Sequence, residues 1–191
     1  MAFEQIAAGK RINYHGVDKA SGWDAVHNYI EWKTGDGNIS AYFENVDIYD
    51  LLSENEGLPK LYNVVILQYL IAGHIYSNRA ERIEELYNGI IDNLVSNKRP
   101  DSPMLIIVND IDHKSWICDY FNLFIQKLRK AGFAVSSAKR HFEKRDDGEN
   151  NGSVLHKSSA NKFLKLISSE QRDKYNAHAP CSAAQLIIEV T

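Results

Sequence analysis

Two short apolar runs joined by an amphipathic segment constrain the fold of this chain most. Tyr62–Leu67 and Met104–Val108 are almost wholly apolar, which is typical of parallel strands that are buried on both faces. The helix predicted between them, over Arg79–Val95, places apolar residues at three- and four-residue steps: Ile83, Leu86, Tyr87, Ile90, Ile91 and Leu94. A strand, a helix and a second strand of this kind predict a right-handed parallel crossover.

The same alternation continues on both sides of this segment. Before it, the pattern predicts a strand, a helix and a strand over Arg11–Val17, Asp24–Lys33 and Ile39–Phe43. After it, the pattern predicts a helix and two strands over Ser115–Arg129, Phe133–Phe142 and Gln185–Val190, with Gly132 stopping the helix. The last two strands have no strong helix between them and are expected to pair antiparallel. We therefore predict an α/β fold: a Rossmann-like, mostly parallel sheet with helices on both faces and an antiparallel last strand.

Three weaker segments complete the organisation. They are the tail of a helix over Phe3–Ala8, a loop or short helix over Leu51–Lys60, and a short helix over Ser159–Leu166. A length of 191 residues fits one domain, so residues 1–191 are predicted to form a single domain.

Composition excludes several classes of protein. A net charge of −3 argues against binding nucleic acid by bulk charge, and no stretch approaches the roughly 20 apolar residues of a membrane span. Cys118 and Cys181 have no CxxC or metal-site spacing, and residues 1–10 do not resemble a signal peptide. We therefore expect a cytoplasmic protein.

Acidic residues follow the ends of the first two predicted strands. Asp18 ends Tyr14-His15-Gly16-Val17-Asp18, and Asp47 lies in Phe43-Glu44-Asn45-Val46-Asp47-Ile48. In open α/β sheets ligands bind beyond the carboxyl ends of the strands, and a carboxylate there accepts hydrogen bonds from hydroxyl or amino groups. Both acids also suit ordinary turns.

These segments, in this order, resemble a class I S-adenosylmethionine-dependent methyltransferase from about Arg11 to Thr191. The resemblance implies that Asp18 binds the cofactor ribose and that Asp47 accepts from the adenine amino group. It places Ile48 on the adenine ring, Trp23 near the adenine, and Gln68 and Tyr69 beside the methyl acceptor. The implied cofactor-binding set is Gly16, Asp18, Trp23, Asp47, Ile48, Gln68 and Tyr69. No catalytic base is identified.

One family feature does not occur before Arg11: the strand and glycine-rich loop that cradle the methionine part of the cofactor. Phe3–Gly9 looks like the end of the helix that follows this loop, so the chain is expected to be N-terminally incomplete relative to the family. The resemblance then leaves two functions open. One is a methyltransferase-like enzyme, impaired or not in binding S-adenosylmethionine; the other is a catalytically inactive interaction or assembly module, with an exposed strand edge that favours a homo-oligomer or protein partner.

A metal-dependent alternative comes from Asn109-Asp110-Ile111-Asp112-His113, which follows a predicted strand. Two acids and a histidine suit a divalent ion, whereas Asp112 or Ser115 suits the cap of the next helix. Capping is the preferred interpretation, and no metal is predicted.

Overall fold

The computed structural model describes residues 11–34, 38–53, 61–77, 79–111, 117–142 and 183–191. The chain divides into two compact units, Met1–Leu58 and Pro59–Thr191, and each has its own sheet. The helices predicted over Phe3–Ala8 and Ser159–Leu166 lie outside the described residues. Within the described ranges, no helix combines the length and the apolar character needed to cross a membrane.

The described residues of the first unit form a strand–helix–strand crossover followed by a short helix. Its elements are β1 (Ile12–Val17), a 3-10 turn (Ser21–Trp23), α1 (Asp24–Thr34), β2 (Ile39–Glu44) and α2 (Ile48–Ser53). Strands β1 and β2 pair in parallel, with Ile12 opposite Ile39 and Val17 opposite Glu44. The predicted strands and helix are confirmed to within one residue at each end. The start of the predicted Leu51–Lys60 segment belongs to α2.

Helix α1 is held to β2 by one aromatic and one polar contact. The His27 ring stacks on the Phe43 ring with centroids 4.2 Å apart and planes 6° from parallel. The Phe43 amide donates to Glu31 Oε1 at 2.7 Å, which pairs a backbone donor that points away from β1. On the other side of the helix, Tyr29 and Trp32 are exposed, Trp32 to 74%. This aromatic surface is not used by the core of the unit.

The described residues of the second unit form a four-stranded sheet and three helices. Its elements are β3 (Val64–Gln68), α3 (Ile71–Tyr76), α4 (Ala80–Ile90) with a π-helical turn (Ile91–Val95), β4 (Met104–Ile111), α5 (Ile117–Lys130), β5 (Val135–Phe142) and β6 (Ala183–Val190). The strand order is β3-β4-β6-β5. Strands β3 and β4 are parallel, whereas β6 is antiparallel to both β4 and β5. The predicted α/β class and the antiparallel last strand are confirmed.

One face of this sheet forms the core with the helices. Alternate residues of the two central strands are fully or almost fully buried: Met104, Ile106, Val108, Leu186, Ile188 and Val190. Between the helices, the Tyr87 and Phe124 rings stack with centroids 4.3 Å apart, and both are completely buried. The amphipathic pattern that predicted the long helix therefore identified its buried face.

Four details differ from the sequence predictions. Strand β3 is not buried on both faces: Val65 and Leu67 are buried, but Val64 and Ile66 are 48% and 47% exposed, because the core covers only one face of the strand. Strand β4 continues to Ile111, so the residues after Val108 pair with β6 and do not begin a loop. Helix α3 was not predicted. The π-helical turn buries Val95 and leaves Leu94 only half-buried.

The predicted stop of α5 at Gly132 is confirmed. Gly132 has a φ of +94°, a conformation that glycine adopts without a Cβ clash. Its amide donates to the Arg129 carbonyl at 3.0 Å, and the Phe133 amide donates to the Leu128 carbonyl at 3.2 Å. These two bonds form a Schellman cap, which satisfies carbonyls at the helix end.

Candidate functional site

Asp18 lies where β1 ends, beside the end of the parallel strand β2. Its amide donates to the Glu44 carbonyl at 3.1 Å, which extends the pairing of the two strands by one residue. Its side-chain Oδ1 accepts a hydrogen bond from the Ala20 amide at 2.8 Å. An aspartate that bonds the backbone two residues ahead makes a local turn, and this turn leads the chain away from the sheet while the carboxylate stays at the strand end.

Asp47 lies in the short connection after β2, which ends at Glu44, and caps α2. Its Oδ1 accepts from the Tyr49 amide at 3.0 Å, as an N-cap side chain does. Its Oδ2 lies 3.2 Å from Lys19 Nζ. Because Lys19 follows Asp18 directly, this ion pair links the exits of the two strands. It is a surface pair, so its value is chiefly to position the two loops.

The chemistry of this edge is that of two carboxylates. An ionised carboxylate has about four lone-pair positions for hydrogen bonds; Asp18 accepts from the Ala20 amide, and Asp47 accepts from the Tyr49 amide and pairs with Lys19. Both can accept from hydroxyl and amino groups. The negative charge of the two carboxylates disfavours a phosphate at this edge. The nearby cation is Lys19, which is paired with Asp47. The position matches the ligand-binding edge of open α/β sheets.

The remaining first-unit candidates have different surroundings. Gly16 is buried, and a Cβ built on it would lie 2.4 Å from Phe43 Cδ1. Its observed role is thus to make room for the Phe43 ring. Trp23 ends the 3-10 turn and is exposed, and Ile48 begins α2 half-buried. The cofactor contacts predicted for these three residues stay predictions.

Gln68 and Tyr69 lie at the carboxyl end of β3 in the second unit. Gln68 is the last residue of the strand and is exposed. Tyr69 has a φ of +58° and a side chain that is 65% exposed, while its amide donates to the Asn109 carbonyl at 2.9 Å. A non-glycine residue in this conformation costs about 1–3 kcal/mol, and such residues cluster at functional sites. The strain draws attention to Tyr69, although its role beside a methyl acceptor stays a prediction.

Asp110 supports the turn that follows Tyr69. The residue is 1% exposed, and its carboxylate accepts hydrogen bonds from the amides of Ile71 and Ala72 at 2.7 and 3.3 Å, and from its neighbour Ile111 at 2.7 Å. Burial raises the pKa of Asp110, against the opposing effects of these amides and of His74. The carboxylate thus caps the start of α3 from a neighbouring strand.

This arrangement corrects the interpretation of the Asn109–His113 segment. Asn109 and Asp110 lie within β4, and the Asn109 side chain accepts from Gln185 Nε2 at 2.8 Å. Asp112, His113 and Ser115 lie outside the described residues, so neither the metal hypothesis nor their capping role can be followed there. Across the part of the chain that the structure describes, no three His, Cys, Asp or Glu residues are grouped as a metal site requires.

The structure thus brings together two groups of predicted residues. Asp18, Asp47 and Ile48 share the strand ends of the first unit, and Gln68 and Tyr69 are adjacent in the second. The sequence interpretation missed Lys19 as the link between the two acids. It also missed the capping role of Asp110. The signal for that role in the sequence was an acidic residue close after an apolar run.

Three solved structures align with the chain, two of them described as methyltransferases. The plantazolicin methyltransferase BpumL in complex with SAH aligns over 98% of this chain and 80% of its own, with 12% identity and a TM-score of 0.44. A SAM dependent methyltransferase from Archaeoglobus fulgidus aligns over 100% and 90%, with 14% identity and a TM-score of 0.45. The YcgJ protein from Bacillus subtilis aligns over 100% and 97%, with 14% identity and a TM-score of 0.39.

No protein-family model and no curated protein matches the chain. At 10–14% identity and TM-scores below 0.5, the α/β assignment rests on the chain's own strand order and directions.

Proposed function

We propose that this chain is a methyltransferase-like protein whose first unit binds the adenosine part of S-adenosylmethionine or S-adenosylhomocysteine. The observation that carries the proposal is the pair of acids, Asp18 and Asp47, at the carboxyl ends of adjacent parallel strands. Asp18 would accept from the ribose hydroxyls. Asp47 would accept from the adenine amino group, with Ile48 and Trp23 as apolar neighbours of the base.

The chemistry of the ligand suits this edge. The adenosine part of S-adenosylmethionine presents two ribose hydroxyls and the adenine amino group, the neighbouring sulfonium is positively charged, and the compound has no phosphate. Carboxylates accept hydrogen bonds from the hydroxyls and the amino group and are attracted by the sulfonium charge. When bound, the cofactor supplies a methyl group for displacement by a nucleophile held in line, so the protein's contribution to such a reaction is mainly positioning.

Isothermal titration with S-adenosylhomocysteine tests the role of Asp18. Asp18→Asn keeps an oxygen that can accept from the Ala20 amide, so the turn is retained while the charge and one acceptor are lost. We expect the Kd to rise about tenfold or more, equal to about 1.4 kcal/mol. Asp50→Asn makes the same charge change on the exposed side of α2 and should leave the Kd unchanged. Equal effects of both variants would contradict the ribose role.

A catalytically inactive interaction module is the second candidate. The exposed aromatic surface of α1 favours it: the ring centroids of Tyr29 and Trp32 lie 5.9 Å apart, and both side chains are exposed. Soluble proteins seldom leave large apolar side chains grouped at the surface without a partner. A chain that binds no S-adenosyl compound, and whose sedimentation depends on concentration, would support this candidate over the first.

A further inference from the structure

Asn45 is the residue directly after β2, and its side chain lies against the turn that carries Asp18. The carbonyl oxygens of Asp18 and Lys19 lie 3.2 and 3.0 Å from one end of the Asn45 side-chain amide. These two carbonyls belong to the two peptide units of the turn, which is closed by the bond from the Ala20 amide to Asp18 Oδ1 at 2.8 Å. Asn45 therefore contacts both peptide units of the turn from the neighbouring strand.

The surroundings of the Asn45 amide determine which end carries its nitrogen. An asparagine amide has two N–H donors at one end and an acceptor oxygen at the other, and its orientation is assigned from its hydrogen-bond partners. With the nitrogen towards the turn, the amide donates to two carbonyls at 3.0 and 3.2 Å. With the nitrogen turned away, it reaches Asp24 Oδ1 at 3.4 Å and its oxygen faces the two carbonyl oxygens. Two shorter bonds against one longer bond favour donation to the turn.

We propose that Asn45 is a positioning residue for the carboxylate of Asp18, an inference whose consequence for ligand binding rests on the proposed function. A trans peptide unit is planar, so its carbonyl and its N–H point in opposite, fixed directions. In the unit that joins Lys19 to Ala20, the carbonyl accepts from Asn45 and the N–H donates to Asp18 Oδ1. Holding the carbonyl therefore directs the N–H at the carboxylate and keeps the carboxylate at the end of β1.

The same contact helps to fix the spacing of the two acids. The Lys19 carbonyl is held by Asn45, and the Lys19 ammonium lies 3.2 Å from Asp47 Oδ2. Both the backbone and the side chain of Lys19 are thus tied to residues that follow β2. A ligand that bonds to Asp18 and Asp47 together gains affinity from this arrangement, because side chains that are already ordered lose less freedom on binding.

Calorimetric titration with S-adenosylhomocysteine in a double-mutant cycle tests the positioning role. We expect Asn45→Ala to raise the Kd about fivefold, as for the loss of one neutral hydrogen bond. The effect should fall below about twofold when Asp18→Asn is already present, because the two residues act through one carboxylate. Asn13→Ala is the matched control near the start of β1 and should leave the Kd unchanged. A merely structural role would weaken binding equally in both backgrounds, and that result overturns the proposal.

Exchange of the Ala20 amide hydrogen with solvent, followed by heteronuclear NMR without ligand, tests the same contact independently. We expect the exchange rate to rise about fivefold in Asn45→Ala, because the peptide unit that donates to Asp18 is no longer held. Asp24→Ala removes the alternative acceptor of the Asn45 amide and should leave the rate at its wild-type value. An unchanged rate in Asn45→Ala, or an equal rise in Asp24→Ala, overturns the proposal.

The two measurements distinguish this inference from the proposed function. A wild-type chain that does not bind S-adenosylhomocysteine, with faster Ala20 exchange in Asn45→Ala, would refute the S-adenosyl site and support Asn45 as the residue that positions Asp18. A wild-type chain that binds, with an unchanged Kd in Asn45→Ala, would refute the positioning role alone. Thermal melting confirms that each variant is folded.

Discussion

The carboxylate of Asp110 on β4 accepts the backbone amide hydrogen of Ile71, the first residue of α3, at 2.7 Å. The two residues are 39 positions apart in the sequence, and the bond fixes the start of the helix to the neighbouring strand. Since the Ala72 amide points to the same carboxylate, one buried side chain satisfies two amides that no helical carbonyl can pair. The turn at Tyr69 lies directly before this anchor.

Asp110→Asn should destabilise the second unit. The asparagine amide group replaces one of the two acceptor oxygens, so at least one of the three amides loses its partner in a buried site. We expect the free energy of unfolding to fall by about 1–3 kcal/mol, measured by urea denaturation. Asp92→Asn, at an exposed position, is the control and should have little effect. An unchanged stability for Asp110→Asn would show that the anchor contributes nothing.

The stability difference between wild type and Asp110→Asn should depend on pH. Burial raises the pKa of Asp110 in the folded chain above its ordinary value, so the folded state binds the proton more tightly than the unfolded state. The contribution of Asp110 to the free energy of unfolding therefore grows as pH falls through the raised pKa and is reduced above it. Denaturation of both proteins between about pH 7 and pH 4 measures this; a wild-type advantage that shrinks towards acid would contradict it.

Gly16→Ala should disturb the first unit. The added Cβ would lie 2.4 and 2.6 Å from two atoms of the Phe43 ring, and that ring is stacked on His27. Displacing it should cost about 1–3 kcal/mol of stability. Gly22→Ala is the control, because a Cβ there meets nothing within 4 Å. Thermal melting of both variants makes the comparison, and equal melting temperatures would show that the ring moves freely.

Tyr69→Gly should remove the backbone strain at this position and, with it, the side chain that is predicted to lie beside the methyl acceptor. Glycine adopts a φ of +58° without the cost that tyrosine bears, so we expect the melting temperature to be maintained or raised. If the phenol borders a methyl acceptor, methyl transfer should nevertheless fall while binding of S-adenosylhomocysteine is kept. A variant that is destabilised would show that the exposed ring contributes packing.

Local periodicity was enough to predict most elements of both sheets. The apolar faces of α4 and α5, the parallel pairing of β1 with β2 and the antiparallel β6 all follow from patterns that neighbouring residues carry. The exposure of Val64 and Ile66 could not be predicted in this way, since an apolar run is the same whether one or both faces of the strand are covered.

Candidate site residues were predicted less completely, because their partners are distant in sequence. Asp18 and Asp47 were recognised from strand ends, but the ion pair of Lys19 with Asp47 joins residues 28 positions apart. Asp110 was assigned to a loop because a polar residue usually ends a buried strand. Its cost of burial is offset by amides of a helix that the sequence pattern did not reveal.

The most direct test of the proposed function is calorimetric titration of the wild-type chain with S-adenosylhomocysteine and, in parallel, with adenosine diphosphate. Both ligands carry an adenosine, but only the second adds phosphates, which the carboxylates of Asp18 and Asp47 should repel. We predict binding of S-adenosylhomocysteine at least about tenfold tighter than binding of the diphosphate. No binding of S-adenosylhomocysteine, or equal or tighter binding of the diphosphate, would contradict a site for S-adenosyl compounds at this edge.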